Sequence, residues 1–84
     1  MTSKLEKLDL NILNGLDYIK SESLITPNGK PVVSRRFHTI DSMKEYIKSN
    51  LELNRTIYVY CVDKYTEQDS SEWYNLRCAI YAKE

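Results

Sequence analysis

One histidine, His38, and two cysteines, Cys61 and Cys78, are the side chains in this chain best suited to nucleophilic or metal-binding work near neutral pH. A general base or a zinc ligand needs partners at defined spacing, and these residues lack it. Cys61 and Cys78 lie within alternating apolar runs, where free cysteine usually packs as a small hydrophobe. His38 is read as the end of a strand. Glu67, Asp69 and Glu72 fall on one polar stretch, TEQDSSE, without the Asp and Gly intervals of a calcium loop. With only Gly15 and Gly29 there is no glycine-rich phosphate loop, and no nucleophile elbow occurs. The sequence therefore implies no catalytic residues, no metal and no cofactor. At 84 residues there is also little room for a deep preorganised cleft.

The unusual chemistry is aromatic. Arg55 to Lys83 holds both cysteines, the single tryptophan and five of the seven tyrosines. RTIYVYCVDKY and WYNLRCAIYAK read as two strands, because Val, Ile, Tyr and Trp suit a pleated, half-buried surface. Side chains alternate between faces. Ile57, Val59 and Cys61 then share one side of the first strand, with Tyr58, Tyr60 and Val62 on the other. In the second strand Leu76, Cys78, Ile80 and Ala82 oppose Trp73, Arg77, Ala79, Tyr81 and Lys83. Matching like faces sets Val59 opposite Ile80, Cys61 opposite Cys78, Ile57 opposite Ala82 and Tyr65 opposite Tyr74. The expected result is one aliphatic face, two neighbouring reduced thiols that pack without bonding, and one face of rings.

That second face supplies the candidate binding residues: Tyr58, Tyr60, Trp73, Arg77 and Tyr81. Tyr, Trp and Arg dominate interface hot spots. They point to a small non-enzymatic module that docks on a larger protein as an inhibitor or adaptor, or that pairs as a homodimer. A competing use is stacking of single-stranded nucleic acid on the rings, with Arg35, Arg36, Arg55, Lys64 and Arg77 on phosphates. Twelve basic and twelve acidic residues, and the lack of an RNP-type signature, count against it. A third reading is structural: the N-terminal Leu5, Leu8 and Ile12 fold over the rings and complete a second small core.

The elements that must position this face follow from periodicity. The length fits one domain. In residues 3–14, Leu5, Leu8, Ile12 and Leu16 recur at helical spacing, and Ser3 with Glu6 forms a capping-box pair, so a short helix is preferred over a strand. Residues 16–38 read as a hairpin about Asn28-Gly29, with Ile25 opposite Val32, Leu24 opposite Val33, and Glu22 paired with Arg35. Residues 41–53 read as a helix. Ser42 and Glu45 cap it, and Met43, Tyr46, Ile47 and Leu51 form its apolar stripe. Residues 55–83 form the second hairpin. The order (α)ββαββ implies an α+β fold, a largely antiparallel sheet with one helix packed on it.

Charge is spread unevenly: Gly29 to Lys64 has seven basic and four acidic residues, Tyr65 to Glu84 two and four. The start MTSKLEKLDL has no apolar signal region and no run approaches a membrane span, so a cytoplasmic, non-membrane protein is expected. Richness in Tyr, Lys, Asn and Ile is a composition common among small accessory proteins of AT-rich bacteria and their phages.

Overall fold

The computed structural model describes residues 4–27 and 29–82. Two long strands, β4 (Arg55–Thr66) and β5 (Glu72–Ala82), form the antiparallel hairpin on which everything else is laid. The loop between them, residues 67–71, closes with the Glu67 N–H donating to the Ser71 carbonyl at 2.8 Å. Three shorter strands flank the hairpin. β1 (Lys4–Leu8) pairs antiparallel with Val62–Thr66 of β4, and β2 (Ile19–Lys20) pairs parallel with Tyr58–Val59 on the same edge of β4. β3 (Val33–Phe37) pairs antiparallel with Tyr74–Cys78 of β5. With the helix α1 (Ile40–Glu52) this is the expected α+β architecture, one helix packed on a largely antiparallel sheet. The long hairpin gives the molecule extents of 47 × 23 × 18 Å.

The helix forms where expected, shifted by one residue, but its cap differs. Thr39, in an extended conformation, accepts from the Ser42 N–H at 3.0 Å through its hydroxyl, so Ser42 sits inside the first turn instead of capping it. Asp41 lies in that first turn, where negative charge is favourable. At the other end Asn54 takes φ 61°, the left-handed conformation that Asn tolerates. Asn50 is buried there and accepts from Arg55 Nη1 at 2.7 Å, tying the helix end to the start of β4.

Met43 and Ile47 are fully buried against Ile57, Val59, Val62, Leu76 and Cys78, with Tyr46 and Leu51 at the margin. The expected stripe does face the sheet. Leu13 completes this core, supported by Leu8, Leu10, Ile12 and Leu16.

Two expected elements are corrected. Residues 3–14 are not an α-helix: Lys4–Leu8 adds an edge strand, and Leu10–Leu13 forms a 3-10 turn capped by Asp9, whose carboxylate accepts from the Asn11 N–H at 2.8 Å. Ser3, the proposed capping partner of Glu6, lies outside the described residues, as do Asn28 and Lys83. The hairpin of residues 16–38 exists only at its tip. Thr26 N–H donates to the Lys30 carbonyl, Gly29 takes φ 82°, and Ile25 bridges Pro31 in place of Val32. Its arms then part, β2 to the far edge of β4 and β3 to the far edge of β5. Glu22 accordingly meets Lys20 at 3.9 Å, not Arg35.

Truncating Ile47 to Ala removes a fully buried side chain from the helix–sheet seam. Urea melts are expected to show a loss of about 2–4 kcal/mol; a loss near zero would mean that the seam is not packed this way.

Candidate functional site

The side of the sheet opposite α1 carries all five candidate residues, and its geometry is set by one irregularity in β4. Val59 opposes Cys78, but Cys61 opposes Arg77, so Tyr60 is an extra residue in a β-bulge. Before the bulge the pairs are Ile57 with Ile80 and Tyr58 with Ala79. After it they are Val62 with Leu76, Asp63 with Asn75 and Tyr65 with Trp73. The sequence-derived register is therefore wrong by two residues before the bulge and by one after it. The two-residue error keeps every face. The one-residue error reverses them: Cys61 leaves the aliphatic side and Val62 joins the core.

The cysteines are free and buried, yet they occupy opposite faces instead of facing each other. Cys78 packs in the core, where burial pushes its thiol up to about 11. Cys61 lies with Asp63, Arg77 and Lys7 on the other side; burial, then the Asp63 carboxylate, raises its thiol as well.

At the end of the face nearest the β4–β5 loop, Tyr65 and Trp73 stack with centroids 4.0 Å apart and planes within 3°. Arg36 of β3 lies over the same indole, its guanidinium carbon 4.0 Å from the centroid. Because β4 and β3 flank β5 on opposite sides, Tyr65 and Arg36 cover the two faces of Trp73. The indole N–H donates to Glu67 at 2.7 Å, which fixes the ring in its plane. Tyr65 was not singled out as part of this face from sequence, because only the bulged register brings it against Trp73, and Arg36 entered only as a phosphate contact in the nucleic-acid reading.

At the other end Tyr58 and Tyr81 meet edge to face at 5.5 Å. Here a segment does cross the rings, but it is not the N-terminal one: Leu8 and Ile12 support the core under α1, and Leu5, paired with Tyr65 at the edge of the aromatic side, stays 58% exposed. The connection from β2 to β3, residues 21–32, has to pass over both long strands, and its contacts put the crossing on the aromatic side. Thr26 is 3% exposed and its hydroxyl hydrogen-bonds the Tyr81 hydroxyl. The Lys30 ammonium sits 5.2 Å from the Tyr81 ring centre and donates to the Ile80 carbonyl at 3.1 Å. Ala79, beneath, is only 2% exposed. Beside the crossing, Ile19, Ile25, Pro27 and Tyr58 line a groove of about 440 Å³, with Ile19 47% and Ile25 58% exposed.

Between the two ends lie Tyr60, Cys61, Asp63, Asn75 and Arg77, flanked by Lys7 on β1 and Ser34 on β3. Asp63 is buried and the Cys61 Sγ lies 3.9 Å from its carboxylate. Arg77 is half-buried. Its Nε is shielded from solvent without a hydrogen-bond partner among the described residues. Tyr60 borders a notch where β1 ends and β2 begins, shared with Lys7, Tyr18 and Lys20. The structure thus gathers Tyr58, Tyr60, Trp73, Arg77 and Tyr81 on one face, but divides them. Tyr81 is largely spent on holding the crossing loop, and Trp73 is locked into a stack.

Among the described residues there is no grouping of three or more His, Cys, Asp or Glu able to hold a metal, and no helix is long and apolar enough to cross a membrane. No protein family, curated protein or solved structure matches this chain.

The raised thiol of Cys78 has a stability consequence. Its folded form stays protonated while the unfolded thiol ionises near pH 9, so its contribution is full below that pH and is lost as pH rises toward about 11. Across that window the wild type is expected to lose on the order of 2 kcal/mol more than Cys78→Ala. Denaturant melts at several alkaline pH values would read this; parallel curves would contradict it.

Proposed function

We propose that the chain is a non-enzymatic docking module that binds a larger protein through the sheet side opposite its helix, acting as an inhibitor or adaptor. The observation that carries this reading is the Tyr65–Trp73–Arg36 stack on a sheet face that no other described element overlies, beside Arg77 and next to the groove of Ile19, Ile25, Pro27 and Tyr58. Large rings held rigid before contact lose little entropy on binding. A half-buried arginine and exposed aliphatics next to them are the composition of interface hot spots.

The same stack is our reason for preferring a protein partner to a nucleic acid. A base needs a free ring face. Trp73 offers none, since Tyr65 takes one side and Arg36 the other. Tyr58 and Tyr81 meet edge to face, with Lys30 over the ring of Tyr81. The exposed aliphatic groups of Ile19 and Ile25 beside these rings suit a protein surface. A second copy of this chain is a further candidate occupant. We place the protein in the cytoplasm, where its two unbridged thiols stay reduced.

The test is co-precipitation with wild type and with Tyr58→Ala, Tyr60→Ala and Trp73→Ala, each melted in parallel. Loss of a truncated hot-spot ring is expected to weaken a bound protein by about 2 kcal/mol or more, roughly thirtyfold, in variants that remain folded at the assay temperature. Tyr81→Ala is expected to differ, losing stability first because it releases Thr26 and the crossing loop. Retention of every bound protein by all the folded ring variants would defeat the proposal. So would Trp73-dependent binding of a single-stranded oligonucleotide with a steep salt response.

A further inference from the structure

Resting on the docking reading, we infer that the partner presents an acidic, extended segment with one apolar anchor. Its carboxylates would meet Arg77, Arg36 and Lys7, and its anchor the groove at Tyr58.

The argument is charge complementarity along a face of fixed length. Lys7, Arg36 and Arg77 all lie on the side opposite the helix, on three different strands. None forms an ion pair with another described residue; the pairs present are Lys20–Glu22 and Lys64–Glu72. The Nε of Arg77 is already stripped of water and unbonded, so part of the desolvation that an arginine–carboxylate contact requires is already met in the free protein. Against these three cations the face itself carries two acids, which leaves a net charge of +1, and Glu22 at the groove rim is balanced by Lys20. Asp63 is buried opposite Asn75 with the Cys61 thiol close to its carboxylate, and Glu67 accepts from the Trp73 indole. The charge left for a partner to meet is positive.

The apolar end lies at the other side of the bulge. From Tyr65 to Tyr58 the strand runs seven residues, roughly 23 Å at ~3.3 Å per residue. The groove of Ile19, Ile25, Pro27 and Tyr58 opens at that end, rimmed by Lys20 and its partner Glu22. An extended segment of about eight residues would reach from the Trp73 stack to the groove. Its acidic stretch would then lie over Arg36, Lys7 and Arg77, and a Leu, Ile, Phe or similar side chain would enter beside Tyr58. A compact basic surface would instead bring like charges onto unpaired cations, which costs affinity.

The inference is tested by selecting phage-displayed random peptides of about twelve residues, long enough to span the face, on the intact chain. Peptides that survive are resynthesised with a fluorescent label and titrated against wild type, Tyr58→Ser, Lys7→Gln and Arg36→Gln/Arg77→Gln. All variants are checked by thermal melting. Lys7→Gln lies on an exposed edge strand, so it reports charge even if the double variant unfolds. The expected result is a selected set enriched in Asp and Glu with one apolar residue. Binding is expected to weaken about tenfold or more on Arg36→Gln/Arg77→Gln, by a smaller factor on Lys7→Gln, and as salt rises. Neutral or basic peptides that depend on Tyr58 would overturn the acidic partner and leave the docking face standing. Peptides indifferent to all four substitutions, or no selected peptide, would overturn both.

Discussion

A single extra residue in β4 sets what each side of this sheet carries. In VYCVD, from Val59 to Asp63, unbroken alternation would send Val59, Cys61 and Asp63 toward the helix and leave Val62 outside. An ionised carboxylate would then press against Met43 and Ile47, at a cost of several kcal/mol. The bulge at Tyr60 removes that conflict. Val59 and Val62 both face the core, while Cys61 and Asp63 join the aromatic side. The irregularity falls where β4 changes its edge partner, from β2 at Tyr58–Val59 to β1 at Val62–Thr66. A local break in one ladder is thus placed where the other ladder is already interrupted.

The two crossovers complete the division. Residues 21–32 carry the chain from β2 to β3 over the aromatic side, and α1 carries it back from β3 to β4 over the aliphatic side. Passing in opposite directions on opposite faces, they turn in the same sense around the hairpin. The helix covers its face with Met43, Ile47 and flanking residues. The loop covers only the Tyr58–Tyr81 end, and its Leu24 and Ile25 stay exposed. What it leaves uncovered is the stretch from Tyr60 to Trp73, where the rings are ordered by one another and by Arg36 instead of by an overlying layer.

Much of this was legible in the residues. The 3.6-residue stripe of Met43, Tyr46, Ile47 and Leu51 marks α1, and the uninterrupted β-formers on either side of TEQDSSE mark the long hairpin. In β5 the alternation of Leu76, Cys78 and Ile80 against Trp73, Arg77, Ala79 and Tyr81 holds throughout. The bulge was not legible because no glycine marks it and neighbouring registers match the aliphatic residues almost equally well. β1 was hidden because Leu5 and Leu8 also fit a helix, and the sheet edge of β4 decides between the two. The Asn-Gly signal correctly marked a turn, but a local turn says nothing of where its arms go. Each arm pairs more extensively with the central hairpin than with the other.

The most direct test of this account is a nuclear Overhauser map of the hairpin in solution. The account predicts contacts of the Tyr65 ring with the Trp73 ring, of Val62 with Leu76, and of Cys61 with Arg77, and no contact between the side chains of Cys61 and Cys78. Direct Cys61–Cys78 contacts, with Tyr65 against Tyr74, would show an unbulged hairpin. That pairing would return Val62 to the aromatic side and dissolve the face on which the docking proposal stands.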